Sequence, residues 1–215
     1  MTPRPPAVAH LALSPTGRGP GVLVIHAWWG LNTFLKGLCD RLAVEGFVAA
    51  APDLYDGKVA VTIEEAERLR TVRRKEPVYR TLIRALEVLG EHPGVTGERL
   101  GVIGFSMGGH WALWLAQRPD LPVAAAVTFY GARGGDYSRS RAAFQGHFAQ
   151  HDKWNPEAAI RRLGRALAGQ DAEIYQYPNT DHWFFEADRP DAYDQAAAEL
   201  AWQRTVAFLR RQLIR

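Results

Sequence analysis

The chain has 215 residues, 47% of them hydrophobic and 23% charged, and its 26 lysines and arginines against 23 aspartates and glutamates leave a net charge of +3. That length can bury a full core and fits one domain over 1–215 better than two. The composition is too polar and the apolar runs too short for a membrane protein, and so small a net charge speaks against nucleic acid as a partner.

Taken in order, Ala7 to Leu13 reads as an edge strand and Val22 to His26 as a continuous apolar run of the kind a buried parallel strand shows. Thr33 to Glu45 repeats its apolar residues at three and four, which predicts an amphipathic helix ended by Gly46. Phe47 to Ala51 supplies the next strand, so the unit is βαβ. A charged helix is expected over Thr62 to Arg74, and a second from Pro77 to Leu89 with Val78, Leu82, Ala85, Leu86 and Leu89 facing the core. Within the first, Arg68, Arg70, Arg73 and Arg74 share the segment with Glu64, Glu65 and Glu67, the pattern of a solvated face. A strand up to Phe105 leads into a helix over Met107 to Gln117, and Val123 to Phe129 is a further strand. Ala142 to Ala149 reads as strand, Pro156 to Leu167 as helix, Ala172 to Tyr177 as strand and Ala192 to Leu213 as the closing helix.

Such alternation implies an α/β chain with a mostly parallel sheet covered by helices on both faces. Ligands bind such sheets beyond the carboxyl ends of the strands. Trp28, Asp53, Ser106, Tyr130, Asp152 and His182 each follow a predicted strand, so the fold should gather them on one edge. The first ten residues lack the apolar core of a secretory signal, which makes cytoplasm the expected compartment. Cys39 is the only cysteine and lies on the stripe of Leu35, Leu38 and Leu42, where a buried, inert thiol is expected.

Gly104-Phe-Ser106-Met-Gly108 fits G-x-S-x-G between strand and helix, a turn that holds a serine hydroxyl exposed above the sheet. A serine becomes a nucleophile when a base takes its proton, and the base needs a carboxylate to fix its tautomer. Asp152 and His182 follow in that chain order, in loops after two later strands. Asp136, Asp171 and Asp181 compete with Asp152, and Ser106 could serve only as a helix cap. Asp53 is expected to tie down its own loop, and His110 to wall the pocket. His147 falls inside a strand, and no metal-ligand spacing is found, so no metal site is expected.

His26-Ala-Trp-Trp-Gly-Leu-Asn32, Ala51-Pro-Asp-Leu-Tyr-Asp-Gly57, Gly104-Phe-Ser-Met-Gly-Gly109, His151-Asp-Lys-Trp-Asn-Pro156 and Asp181-His182 stand in the order found in the dienelactone hydrolase family, which the chain resembles. The resemblance implies an α/β-hydrolase fold without a large cap domain, acting on small-molecule esters or lactones without a metal or organic cofactor; a monomer or small homo-oligomer is expected. It puts the nucleophile on Ser106, the acid on Asp152 and the base on His182, with oxyanion donors at the backbone N–H of Met107 and Trp28. His26, Trp29, Tyr130 and Trp183 are expected in the substrate pocket. Two departures stand out. Family members that cleave dienelactone itself use a cysteine gated by a glutamate, where this chain has Ser106 and Ala27. They also hold the substrate carboxylate with an arginine shortly after the histidine, where Glu186 stands here. An acidic side chain there is expected to repel an anionic lactone, which favours a neutral or aromatic ester. A carboxylesterase or peptidase-like hydrolase, and a non-catalytic binding protein on the same fold, are the competing readings.

Overall fold

The continuous apolar runs become the middle of a sheet in the computed structural model, which describes residues 7–72 and 75–214. The first six residues and Arg73 and Arg74 of the basic cluster lie outside the described residues. In chain order the elements are β1 (His10–Ala12), β2 (Gly21–Ile25), α1 (Thr33–Val44), β3 (Val48–Ala51), α2 (Ile63–Val72), α3 (Lys75–Gly90) and β4 (Leu100–Phe105). There follow α4 (Met107–Ala116), β5 (Val123–Phe129), β6 (Ala143–His151), α5 (Glu157–Ala166), β7 (Ala172–Asp181) and α6 (Gln195–Leu213).

The strands form one sheet in the order β1-β3-β2-β4-β5-β6-β7. β1 runs antiparallel to β3, and every other neighbouring pair is parallel. Alternate residues of each strand face opposite sides. Val22 and Val24 pack with α1 and α6 through Leu38, Cys39, Trp202 and Phe208, while Leu23 and Ile25 pack with α3, α4 and α5 through Leu82, Leu113 and Leu163. Helices thus cover both faces, as the alternation of elements implied. Burial pushes the Cys39 thiol up to about 12, so it stays protonated and unreactive.

Element ends moved where tertiary pairing or capping decided them. β1 shrinks to three residues at the sheet's edge. The last helix starts at Gln195 because the Asp194 carboxylate caps it, accepting from Ala197 N–H at 2.8 Å. β7 runs four residues beyond the expected end at Tyr177, through Pro178, which an outermost strand tolerates because one side of its backbone needs no donor. β6 likewise reaches His151, and after a register irregularity His151 pairs with Asp181. That pairing leaves Asp152 and His182 side by side as the first residues beyond their strands.

Two glycines set how closely β4 and α4 meet. A Cβ on Gly104 would stand 2.0 Å from the Gly108 carbonyl oxygen, and one on Gly108 would stand 2.2 Å from that of Ile25 in β2. Gly108→Ala should therefore destabilise the protein by about 1–3 kcal/mol through overpacking. Gly37 lies inside α1 with nothing within 4 Å of its would-be Cβ, so Gly37→Ala should stabilise by about 0.5–1 kcal/mol. Urea midpoints that move in the same direction for both variants would contradict this packing.

Candidate active site

The tight turn between β4 and α4 presents Ser106 with φ +50 and ψ −109, a left-handed conformation uncommon for a residue with a side chain. Its N–H donates to the Phe129 carbonyl at 2.9 Å, which secures the turn to β5. Ser106 Oγ lies 3.0 Å from Nε2 of His182, and Nδ1–H of His182 donates to Oδ2 of Asp152 at 2.7 Å. The other carboxylate oxygen accepts the N–H groups of Trp154 and Asn155 at 2.8 and 2.9 Å. Asp152 thus has both oxygens engaged, and the side chains of Asp152 and His182 are buried. The three residues expected from the sequence come together in one hydrogen-bonded line.

Ser106 opens into a cavity of about 540 Å³ walled by Trp28, Tyr55, Met107, His110 and Trp154. Met107 is the first residue of α4, where N–H groups have no partner inside the helix. Trp28, in the loop after β2, reaches the same cavity. Arg70 and Lys75 also line it, with Arg70 6.0 Å from the Trp28 ring, and no carboxylate does so among the described residues. Arg70 is exposed, as expected of a solvated face. The close-packed side of α2 is formed by Ala66, and Arg70, one turn further along, comes over the cavity mouth.

Other expected pocket residues are placed differently. His26 is fully buried beneath the loop: its Nδ1–H donates to the Ala27 carbonyl at 2.6 Å and its Nε2 accepts from Leu54 N–H at 3.0 Å. It supports the cavity floor instead of lining it. Tyr130 is also fully buried, with its ring centroid 4.7 Å from that of His182. Trp29 and Trp183 line a second cavity of about 790 Å³, which reaches His182 and Asp152 but not Ser106. Asp53 ties down its loop, as expected, accepting from the N–H groups of Tyr55 and Gly57. His110 walls the cavity, also as expected. Desolvation and the neighbouring Arg133 hold its pKa down at about 4, so its neutral ring accepts a hydrogen bond from the guanidinium. In β6, His147 bonds Tyr177 through one nitrogen and Gln145 and Thr205 through the other, and burial pushes its pKa down to about 3.

The expectation for Glu186 has to be corrected. Its side chain is fully buried behind the site, and desolvation raises its pKa to about 8, with the Asp188 charge adding to the rise. A neutral carboxyl out of contact with the cavity cannot repel an anionic substrate. Sequence reading also missed Asn155, whose Nδ2 donates to the Tyr130 carbonyl at 2.6 Å while its Oδ1 accepts from Ala132 N–H at 2.8 Å. It fastens the loop after β5 to the loop carrying Asp152.

Known proteins match the chain over nearly its whole length. The profile of the dienelactone hydrolase family matches residues 8–213. Protein usf of Aquifex pyrophilus is 34% identical over 212 residues, covering 93% of this chain and 91% of that protein. A putative carboxymethylenebutenolidase of Aquifex aeolicus is 31% identical over 211 residues, with the same two coverages of 93% and 91%. Among solved structures, a putative dienelactone hydrolase from Klebsiella pneumoniae superposes with a TM-score of 0.77 at 29% identity, covering 89% of this chain and 87% of that one. With relatives above 30% identity and a family profile that both extend over nine-tenths of its length, the chain belongs to the dienelactone hydrolase family.

Proposed function

We propose that this hydrolase opens carboxylic ester or lactone bonds with Ser106 as nucleophile, His182 as base and then acid, and Asp152 as the carboxylate that orients the imidazole. The unbroken line from Ser106 Oγ through His182 to Asp152, at 3.0 and 2.7 Å, carries the reading. His182 Nε2 takes the hydroxyl proton as Oγ attacks the substrate carbonyl carbon. The resulting oxyanion is held by the backbone N–H groups of Met107 and Trp28. Collapse of the tetrahedral species expels the alcohol, which leaves with the proton from His182 and an acyl group on Ser106. Water then attacks the acyl carbon, giving its proton to His182, and the carboxylic acid departs as Ser106 is regenerated.

The charges around the cavity indicate the substrate class. Arg70 and Lys75 reach a space that no described carboxylate lines, and Glu186 is turned away from it. We infer an ester or lactone that carries a negative charge on the part distant from the scissile bond, seated against aromatic walls. No helix among the described residues is long and apolar enough to cross a membrane.

Ser106→Ala should lower turnover of p-nitrophenyl acetate by about a millionfold and prevent labelling by a fluorophosphonate probe. Retention of more than a tenth of the activity would remove Ser106 from the mechanism. Asp152→Asn should lower kcat by about 10⁴-fold, whereas Asp53→Asn should remain active. The reverse pattern would mean that the other aspartate orients His182. Arg70→Ala should lower kcat/KM for p-nitrophenyl hemisuccinate about fivefold, the effect of losing roughly 1 kcal/mol from an exposed charge pair. The neutral acetate ester should be unaffected, and equal losses on both esters would rule out charge recognition at Arg70.

A further inference from the structure

The Glu186 carboxyl takes no part in the mechanism, yet it is among the most deeply buried ionisable groups in the molecule. Tyr130 O–H donates to its Oε1 at 2.6 Å, and its Oε2 has no hydrogen-bond partner among the described residues. The pair closes a circuit around the base. His182 leads into a turn in which Phe184 N–H donates to the Asp181 carbonyl at 3.1 Å and Glu186 N–H to that of Trp183 at 2.8 Å. From Glu186 the circuit crosses to the Tyr130 hydroxyl, and the Tyr130 ring lies against the imidazole of His182. Tyr130 itself is immobilised at every polar group. Its N–H donates to the His147 carbonyl at 2.7 Å, and its own carbonyl accepts from Asn155 at 2.6 Å. It keeps a φ of +38, a conformation that persists for such a residue only where its surroundings enforce it.

We propose that Glu186 and Tyr130 are positioning residues, a buried carboxyl–hydroxyl pair that holds the His182 ring in line between Ser106 and Asp152. This rests on the reading of His182 as the base.

The charged and titratable groups around the pair are Asp188 and Arg189 from its own loop, Asp152 from the loop after β6, and His182 after β7. Arg189 is the one cation among them, and its charge draws the Glu186 pKa down by less than burial raises it. The Arg189 guanidinium lies 3.7 Å from the Trp29 ring, within 4.0 Å of Asp188, and makes no ion pair with Glu186. Loss of the proton to solvent would leave a charge with one oxygen unbonded in a dry site, which favours its escape toward water. Escape would carry the turn after His182 and release the Tyr130 ring. Since burial sets the carboxyl pKa at about 8, the change falls just above neutrality.

The test is the pH dependence of p-nitrophenyl acetate hydrolysis, with kcat normalised to sites titrated by a fluorophosphonate. In the parent, kcat should fall through pH 8 to 9. Glu186→Gln, which cannot ionise, should keep at least half the parent's kcat at pH 7 and lose that fall. Glu186→Ala and Tyr130→Phe should each lower kcat about tenfold at pH 7 with KM within twofold of the parent. A merely structural role would lower the number of titratable sites and leave the pH profile unmoved. Should Glu186→Ala fail to fold, the Glu186→Gln profile decides alone. An unaltered alkaline fall in Glu186→Gln, in an enzyme that still requires Ser106 and His182, would overturn the proposal and spare the catalytic reading. Activity independent of His182 would instead overturn that reading.

Discussion

The close approach of α4 to the carboxyl ends of β2 and β4 is the constraint on which the site depends. A helix can begin there only because Gly108 lets its backbone reach the Ile25 carbonyl and Gly104 leaves room for Gly108. The same closeness twists Ser106 into a left-handed conformation, a strain of order 1–3 kcal/mol that the buried sheet and the bond to Phe129 sustain. Its return is twofold. The hydroxyl stands clear of its own helix, and the unpaired N–H groups of the first turn, with the positive end of the helix dipole, lie where negative charge develops.

The second half of the site is a matter of register. Asp152 and His182 meet because β6 and β7 stay paired up to His151 and Asp181, so two residues thirty apart in sequence leave the sheet together. Asn155 then fastens the acid's loop to the loop after β5, and Tyr130 stands beneath the imidazole. Parallel strands thus supply the coarse placement, and a few polar side chains supply the last ångströms.

Local patterns in the sequence made most of this legible. Apolar runs, helical periodicity and the glycines around Ser106 act over a few residues, so the order of elements and the turn at Ser106 can be read from the chain itself, whereas Asp152 is one of several candidate aspartates until the family resemblance points to it. What escaped depends on the direction of a side chain after packing. Arg70 reads rightly as a surface charge, but its place at the cavity mouth follows from where α2 packs, and His26 reads as a pocket residue until the loop at Leu54 covers it. Glu186 is the sharpest case. Its formula suggests a charge, and burial reverses that reading because desolvation outweighs the pull of the nearby Arg189 charge. Asn155 left no signal of its own, since its partners are backbone groups more than twenty residues away.

His182 borders two spaces, the Ser106 cavity with Arg70 and Lys75 and no carboxylate among the described residues, and the neighbouring one where Asp181, Asp188 and Asp191 accompany Lys153 and Arg189. Apart from Asp181 at the end of β7, the charged groups on the two sides come from helices and loops, not from the sheet that carries the base.

The proline that ends the regular part of β7 has a consequence for the protein in a crowded solution. An outermost strand offers a row of free backbone groups to any passing extended chain, which is how sheets stick edge to edge. Here that row is broken at Pro178, which has no N–H to give, and Asn179 turns aside with φ +56 while its N–H goes to Gln150. The opposite edge, β1, is only three residues long. Both margins of the sheet are thus poor templates for a stranger's strand, and the margin beside His182 is blunted nearest the residue that would suffer most from being pulled out of register.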